Sequence, residues 1–295
     1  MKRMPVKKMQ SKARPVRDGA KPDPLYGLSA ELKAGKGMSS TLKCLKVLDL
    51  LATEPYIYSL GEVVELTGYE KGTAHRLLAT LVEGGYAEQD EESRRYFVAG
   101  KAFSVGSAYL RHHPVNRAAY VVMNEMAPKV AGMIHLGTLD RGTLLFLRTV
   151  GHPSSYYSYS DAGDRLPLHA NAMGKAILAF GGEALLQLAM REPQAFTERT
   201  IVSIETMRRE LAQVRVRGVA LNDGEWTAGL RAVAAPIFER RGAVVAALAI
   251  GGPTPDMNKA EMERYARMAR EGAGKISSLL GYRGLDLKTR TMSSF

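Results

Sequence analysis

Apolar residues recur at helical spacing in three short runs near the start of the chain. In SSTLKCLKVLDLLATEP, Leu42, Leu45, Leu48 and Leu51 repeat every three residues with Cys44 and Val47 beside them. This predicts a helix capped near Ser40 and stopped by Pro55. YSLGEVVELTG opens with Ser59 and Glu62 at capping-box spacing and predicts a second, short helix ending at Gly68. In TGYEKGTAHRLLATLVEGGY, Ala74, Leu77, Leu78 and Leu81 lie at i, i+3, i+4 and i+7 and form a buried stripe. Gly72, Arg76 and Glu83 face the other way, Thr73, Ala79 and Thr80 sit on the shoulders, and Gly84-Gly85 ends the helix. GYAEQD and RRYFVAG then read as two strands around Glu91-Glu92-Ser93. Three short helices and a hairpin over 37–100 predict a winged helix-turn-helix, in which the third helix enters a DNA major groove and the hairpin touches the adjacent backbone.

Behind it, GKAFSVGSAYLRHHP predicts a linker helix over 101–114 closed by Pro114, with Phe103, Ala108 and Leu110 on its apolar side. The pattern then changes to strands mixed with helices. MIHLGTLDRGTLLFLRTV reads as a hairpin around Asp140-Arg141-Gly142, AVAAPIFERRGAVVAALAIGGP as another around Arg241-Gly242, and SYYSYS as an edge strand. With helices at 117–132, 171–180, 204–217 and 258–280, residues 115–281 are expected to form an α+β domain on an antiparallel sheet, leaving 282–295 as a C-terminal tail.

The 295 residues, 45% hydrophobic and 24% charged, suit two globular domains. No run of about 18 apolar residues is present and the N-terminus lacks the apolar core of a secretory signal, so a cytoplasmic protein without membrane contact is expected. A single cysteine, Cys44, excludes an internal disulfide and a cysteine-cluster metal site. The net charge of +11 is unevenly spread. Residues 1–36 hold ten Lys/Arg against three Asp/Glu and four prolines, and read as a disordered basic tail, either a phosphate-binding arm or a passive extension. Residues 37–100 carry six Lys/Arg against ten Asp/Glu, so DNA binding there needs a few placed cations.

The third helix offers them. Gly72 and Thr73 allow close approach at a helix start whose free amides favour phosphate, Arg76 can reach a guanine edge or a phosphate, and Lys71 and His75 suit phosphates. Thr80 on the shoulder and Arg94 and Arg95 of the hairpin complete the candidate DNA-binding set. The alternative is a helical bundle for protein contact, with Arg76 a solvated charge. Other chemistries find no support. His112-His113 point about 100° apart and lack a partner carboxylate, so they read as solvated. Gly174-Lys175 resembles a phosphate loop but has His169 and Ala176 where Gly and Ser/Thr are needed. No H-E-x-x-H or G-x-S-x-G occurs, and no catalytic residue, metal or cofactor is assigned.

Following a winged helix-turn-helix and a linker helix, HLGTLD, LPLHANAMGKA, GVALNDGEWTAGLRAVAAPIF and AALAIGGP occur in that order. This arrangement resembles the IclR family of bacterial transcriptional regulators across roughly residues 38–281. The resemblance implies a homodimer or homotetramer on palindromic double-stranded operator DNA and a GAF-like C-terminal domain that binds a small-molecule effector. It also implies a pocket lined by Leu166, Ala172, Met173, Asn222, Leu230, Ala232, Ala249 and Gly251. Many relatives have Cys at position 232, an acid at 222 and Ser near 249 and 251 to hold a small carboxylate, and Ser at 72. Without those hydroxyls the wall is apolar, which points to an aromatic effector with one polar end held by Asn222 as donor and acceptor. Tyr157, Tyr159 and Trp226 lie near these segments and either stack on a ring or fill the core. The rival classes are a catalytic GAF-like or amidase-type enzyme with a helical appendage and a protein-interaction module.

Overall fold

The computed structural model describes residues 39–151 and 162–284. The basic tail, SYYSYS with Tyr157 and Tyr159, and the segment from 285 onward lie outside the described residues. The chain folds as α+β, a helical unit followed by an antiparallel sheet covered with helices.

Helix α1 (Ser40–Leu51) starts at Ser39, whose Oγ accepts from the Leu42 amide. Its buried residues are Val47, Leu50 and Leu51, whereas Leu42 and Leu45 are 46% and 51% exposed. A repeat of three falls 60° short of a full turn at each step, so the leucine series spirals off the buried face, which instead follows i, i+3, i+4. Helix α2 (Leu60–Thr67) has both arms of its capping box: the Glu62 amide donates to Ser59 Oγ (3.2 Å) and the Ser59 amide to Glu62 Oε2 (2.7 Å). It ends at Gly68, whose φ of 69° is the left-handed conformation that a helix stop requires. Helix α3 (Lys71–Glu83) buries Ala74, Leu77, Leu78 and Leu81. Strands β1 (Ala87–Gln89) and β2 (Tyr96–Val98) pair antiparallel, and Tyr58, Tyr69 and Tyr96 complete this core.

The expected linker helix is two helices, α4 (Gly100–His112) and α5 (Pro114–Met126). Pro114 does not merely stop the first; it opens the second, where its missing N–H is one that would have no helical partner anyway. Helix α4 buries none of its residues, and Phe103, assigned to its apolar side, is 79% exposed. His113 is half-buried against the Tyr109 ring at 5.2 Å, not solvated, and burial pushes its pKa down.

The sheet has the order β5-β4-β3-β8-β7-β6, from β3 (Met133–Asp140), β4 (Thr143–Gly151), β5 (Arg165–Leu166), β6 (Ala220–Asp223), β7 (Leu230–Phe238) and β8 (Val244–Pro253), all neighbours antiparallel. Both expected hairpins are present, while β5 and β6 are too short to show a period. Helices α6 (Ala172–Phe180), α8 (Ile204–Arg217) and α9 (Lys259–Leu279) lie where expected, and the seven-residue α7 (Glu183–Ala189) is additional. Strand alternation gives the sheet two different faces. Val233, Ala235, Ile237, Leu248 and Ile250 pack with α5 and α9, against Met123, Tyr265 and Ile276. Ala232, Ala234, Ala247 and Ala249 face α6 and α8, with Met173, Ile177, Met207 and Leu211.

Candidate nucleic-acid interface and ligand cavity

With its apolar stripe buried, α3 exposes Lys71, Gly72, His75, Arg76 and Thr80, and leaves Thr73 half-buried. Glu70 provides no side-chain cap, which leaves the first amides of α3 available at the positive end of the helix dipole. A Cβ on Gly72 would meet nothing within 4 Å, so the glycine serves no packing purpose inside the chain. The Thr80 hydroxyl donates to the Arg76 carbonyl (2.9 Å), which leaves its oxygen as an acceptor. The hairpin differs from expectation. Arg94 is exposed, but the Arg95 guanidinium is bonded to Glu62 Oε2 (2.6 Å) and to the Ile57 carbonyl (3.2 Å). Arg95 is thus committed inside its own domain: it ties β2 to the start of α2, and Ser59 and Arg95 together hold the Glu62 carboxyl down at about 2. The hairpin tip carries exposed Glu91 and Glu92, which phosphates would repel.

The second site is a cavity between the small-residue face of the sheet and α6. It is lined by the eight residues Leu166, Ala172, Met173, Asn222, Leu230, Ala232, Ala249 and Gly251. His135, Phe146, Asn171 and Trp226 also line it, together with Arg231 and Gly252. The space inside it is about 80 Å³, small against the roughly 300–1,000 Å³ of drug-sized ligand sites, so it suits only a compact ligand. The floor follows from register: Asn222 lies opposite Ala232, Ala232 opposite Gly251, and Ala249 opposite His135. Short side chains there leave space that the opposite face fills with Val, Ile and Leu. Gly251 suits this, since a Cβ there would sit tightly, 3.1 Å from the Ala232 Cβ and 3.2 Å from the Arg231 carbonyl oxygen. Gly174 is needed, because a Cβ would overlap the Leu168 backbone where α6 leaves the preceding turn.

Phe146 and Trp226 supply aromatic walls, the latter seated on Phe196 at 4.3 Å between centroids. His135 stands edge-on to Phe146, with Nδ1 3.0 Å from Thr149 Oγ1. Both Asn171 groups are committed, Oδ1 to the Gly174 amide and Nδ2 to the Pro167 carbonyl. Asn222 is half-committed. The Glu225 amide donates to its Oδ1 (3.1 Å), and since a backbone N–H can only donate, the oxygen is the atom facing it. The amide nitrogen remains for a ligand, so Asn222 offers the cavity a donor and not the donor and acceptor expected from its residue type.

Beneath this wall lies a polar group that sequence reasoning passed over. Lys175, tested only as part of a phosphate loop, is 1% exposed, and its Nζ lies 2.6 Å from Glu225 Oε1 and 3.5 Å from Glu210 Oε1. Burial pushes the Glu225 carboxyl up, and Lys175 opposes that shift. A lysine inside the apolar run AMGKAILAF was the available signal, since a buried ammonium requires an acid nearby. His135 and Phe146 were legible only through strand pairing. Among the described residues no cluster of His, Cys, Asp and Glu could hold a metal ion, and no helix is long and apolar enough to cross a membrane.

Two family descriptions match the chain: bacterial transcriptional regulator IclR C-terminal over 107–278, and IclR helix-turn-helix domain over 40–91. The chain belongs to the IclR family. An HTH-type transcriptional regulator KdgR from Escherichia coli is 32% identical over 252 residues, which are 85% of this chain and 95% of that protein. An IclR transcriptional regulator from Alicyclobacillus acidocaldarius superposes with a TM-score of 0.74 at 26% identity, over 82% of this chain and 98% of that one. An IclR homolog complexed with 4-hydroxybenzoate, from Microbacterium hydrocarbonoxydans, shares the fold with a TM-score of 0.72 at 24% identity, over 82% and 99%. As in the IclR family generally, an N-terminal helix-turn-helix for DNA precedes a C-terminal effector-binding domain, and the relatives are transcriptional regulators, not enzymes.

Proposed function

We propose that this IclR-family regulator binds a palindromic operator through α3 and takes a small aromatic compound with one acceptor end into the cavity above the β6-β7-β8 floor. The observation that carries the ligand reading is the lining itself: a floor of Ala and Gly, ring walls from Phe146 and Trp226, and one uncommitted amide donor at Asn222. A ring buries both faces favourably against such walls, and a carboxylate or carbonyl at one end accepts from Asn222. Lys71, Gly72, Thr73, His75, Arg76 and Thr80 form the DNA-facing surface, with Arg94 at the hairpin. Exposed Phe103, Val105 and Tyr109 along α4 favour a second copy of the chain as the partner that covers them, as a two-fold operator requires. Ligand binding then changes operator affinity by favouring one spacing of the paired recognition helices.

The test is calorimetric titration of the full chain with benzoate, 4-hydroxybenzoate, pyruvate and glyoxylate, followed by binding to DNA upstream of its own gene with and without the compound that binds. Benzoate-type compounds are expected to bind, to raise the melting temperature as a ligand selective for the folded state does, and to shift operator affinity. Tight binding of pyruvate or glyoxylate with none of the aromatic acids would overturn the ligand reading.

A further inference from the structure

The segment between β6 and β7 forms the side wall of the cavity, and it is held at Glu225 from three directions. The carboxylate meets Lys175 Nζ at 2.6 Å, the amide donates to Asn222 Oδ1 at 3.1 Å, and the carbonyl accepts from Thr200 Oγ1 at 2.6 Å. One residue earlier, the Gly224 carbonyl accepts from Thr197 Oγ1 at 2.7 Å, and one residue later Trp226 lines the cavity. Lys175 belongs to α6, which contributes Ala172 and Met173 to the opposite wall, and it also reaches Glu210 on α8. The ion pair therefore joins two elements that line the ligand space, α6 and the β6–β7 segment, and anchors them to α8 behind. Burying such a pair is a poor way to gain stability, because desolvating two charges offsets most of their attraction. Its geometry instead has a consequence for Asn222, which could otherwise turn either end of its amide toward a ligand.

We propose that Lys175 and Glu225 are positioning residues for effector recognition: by pinning Glu225 they lock Asn222 with its oxygen inward and its NH2 toward the cavity, so that only a ligand presenting an acceptor there is accepted. This rests on the cavity being the effector site for a ligand with an acceptor end, and it adds the residues that impose that polarity. A carboxylate or carbonyl fits, whereas an ammonium or other donor-only end faces NH2 against donor. Substituting both members of the pair avoids the unpaired buried charge that a single truncation would leave.

The experiment uses the full chain and Trp226, the chain's single tryptophan, as reporter. Wild type, Lys175→Met/Glu225→Leu and Glu225→Gln are compared in melting temperature, acrylamide quenching of Trp226, and affinity for benzoate, benzylamine and pyruvate. The double variant is expected to melt close to wild type, to show raised quenching, and to bind benzoate about tenfold more weakly, the worth of one misplaced charge-assisted hydrogen bond. Glu225→Gln, which keeps an acceptor for Lys175, is expected to retain wild-type quenching and preference. A folded double variant with unchanged quenching and unchanged preference overturns the proposal, as does wild-type protein that binds benzylamine as well as benzoate. If pyruvate binds and benzoate does not, the aromatic reading falls, and loss of pyruvate affinity in the double variant becomes the criterion in place of benzoate. If none of the three binds, quenching alone decides. Should the double variant fail to fold, Glu225→Leu, which leaves Lys175 beside Glu210, takes its place: raised quenching with weakened benzoate binding supports the proposal, and unchanged values overturn it.

Discussion

The recognition helix and the cavity solve opposite packing problems. On α3 the apolar stripe is filled completely by Ala74, Leu77, Leu78 and Leu81, and the groups assigned to DNA stand outside it. In the cavity the candidate groups are the core itself, and the ligand space exists because Ala232, Ala249 and Gly251 stop short of filling it. Stability and function should therefore be separable by substitution in the first region and entangled in the second.

The largest effect should come from the inner side of α3. Leu78→Ala deletes a fully buried side chain and is expected to cost about 2–5 kcal/mol, seen in urea unfolding of the DNA-binding unit. On the outer side, Arg76→Ala is expected to weaken operator binding by about 1–3 kcal/mol and leave the melting temperature unchanged, because the side chain is exposed. An equal loss of stability in that variant would break the contrast. In the cavity, Ala232→Leu is expected to abolish binding of benzoate-type compounds while moving stability by less than about 1.5 kcal/mol in either direction, since added methylenes fill space in place of straining a packed core. Calorimetry on the variant and thermal unfolding check both halves together. If the variant binds normally, the ligand site lies elsewhere.

The smallest effect is one of pH, and it separates the regions again. The Glu62 carboxyl is held at about 2 by the Ser59 amide and Arg95. Its folded value is below its unfolded one, so the stabilisation is fully present above about pH 4.5 and is lost as pH falls toward 2. Protection of the amides at the start of α2, taken relative to the intrinsic exchange rate at each pH, should fall over that interval, and Glu62→Gln should remove the dependence.

Legibility from sequence follows the same division. The helix period, the Ser59/Glu62 capping box and the glycine at 68 are local signals, and each specified its element without reference to the rest of the chain. The leucine repeat of α1 misled because a period of three and a period of 3.6 agree over one turn and diverge over three. The pairing of Arg95 was not legible because its partner, Glu62, is 33 residues away and adjacent only once the hairpin folds back on α2. The eight cavity residues were reached through family resemblance. His135, Phe146 and the committed oxygen of Asn222 depend on strand register and on a bend after β6, which no local pattern encodes.

The pairing of Arg95 with Glu62 bears on how the protein responds to ionic strength. A cation that docks on a phosphate releases a condensed counterion, and each such contact steepens the dependence of log K on log salt by about 0.9. A guanidinium already neutralised inside its own domain releases none. In the proposed complex the hairpin thus adds counterion release through Arg94 alone, and the salt dependence expected of the described DNA-facing surface rests on Lys71, Arg76 and Arg94. On the proposed two-fold operator these cations are present twice, for an expected slope of about 5, and the commitment of Arg95 in both copies keeps about 2 more from being added to it.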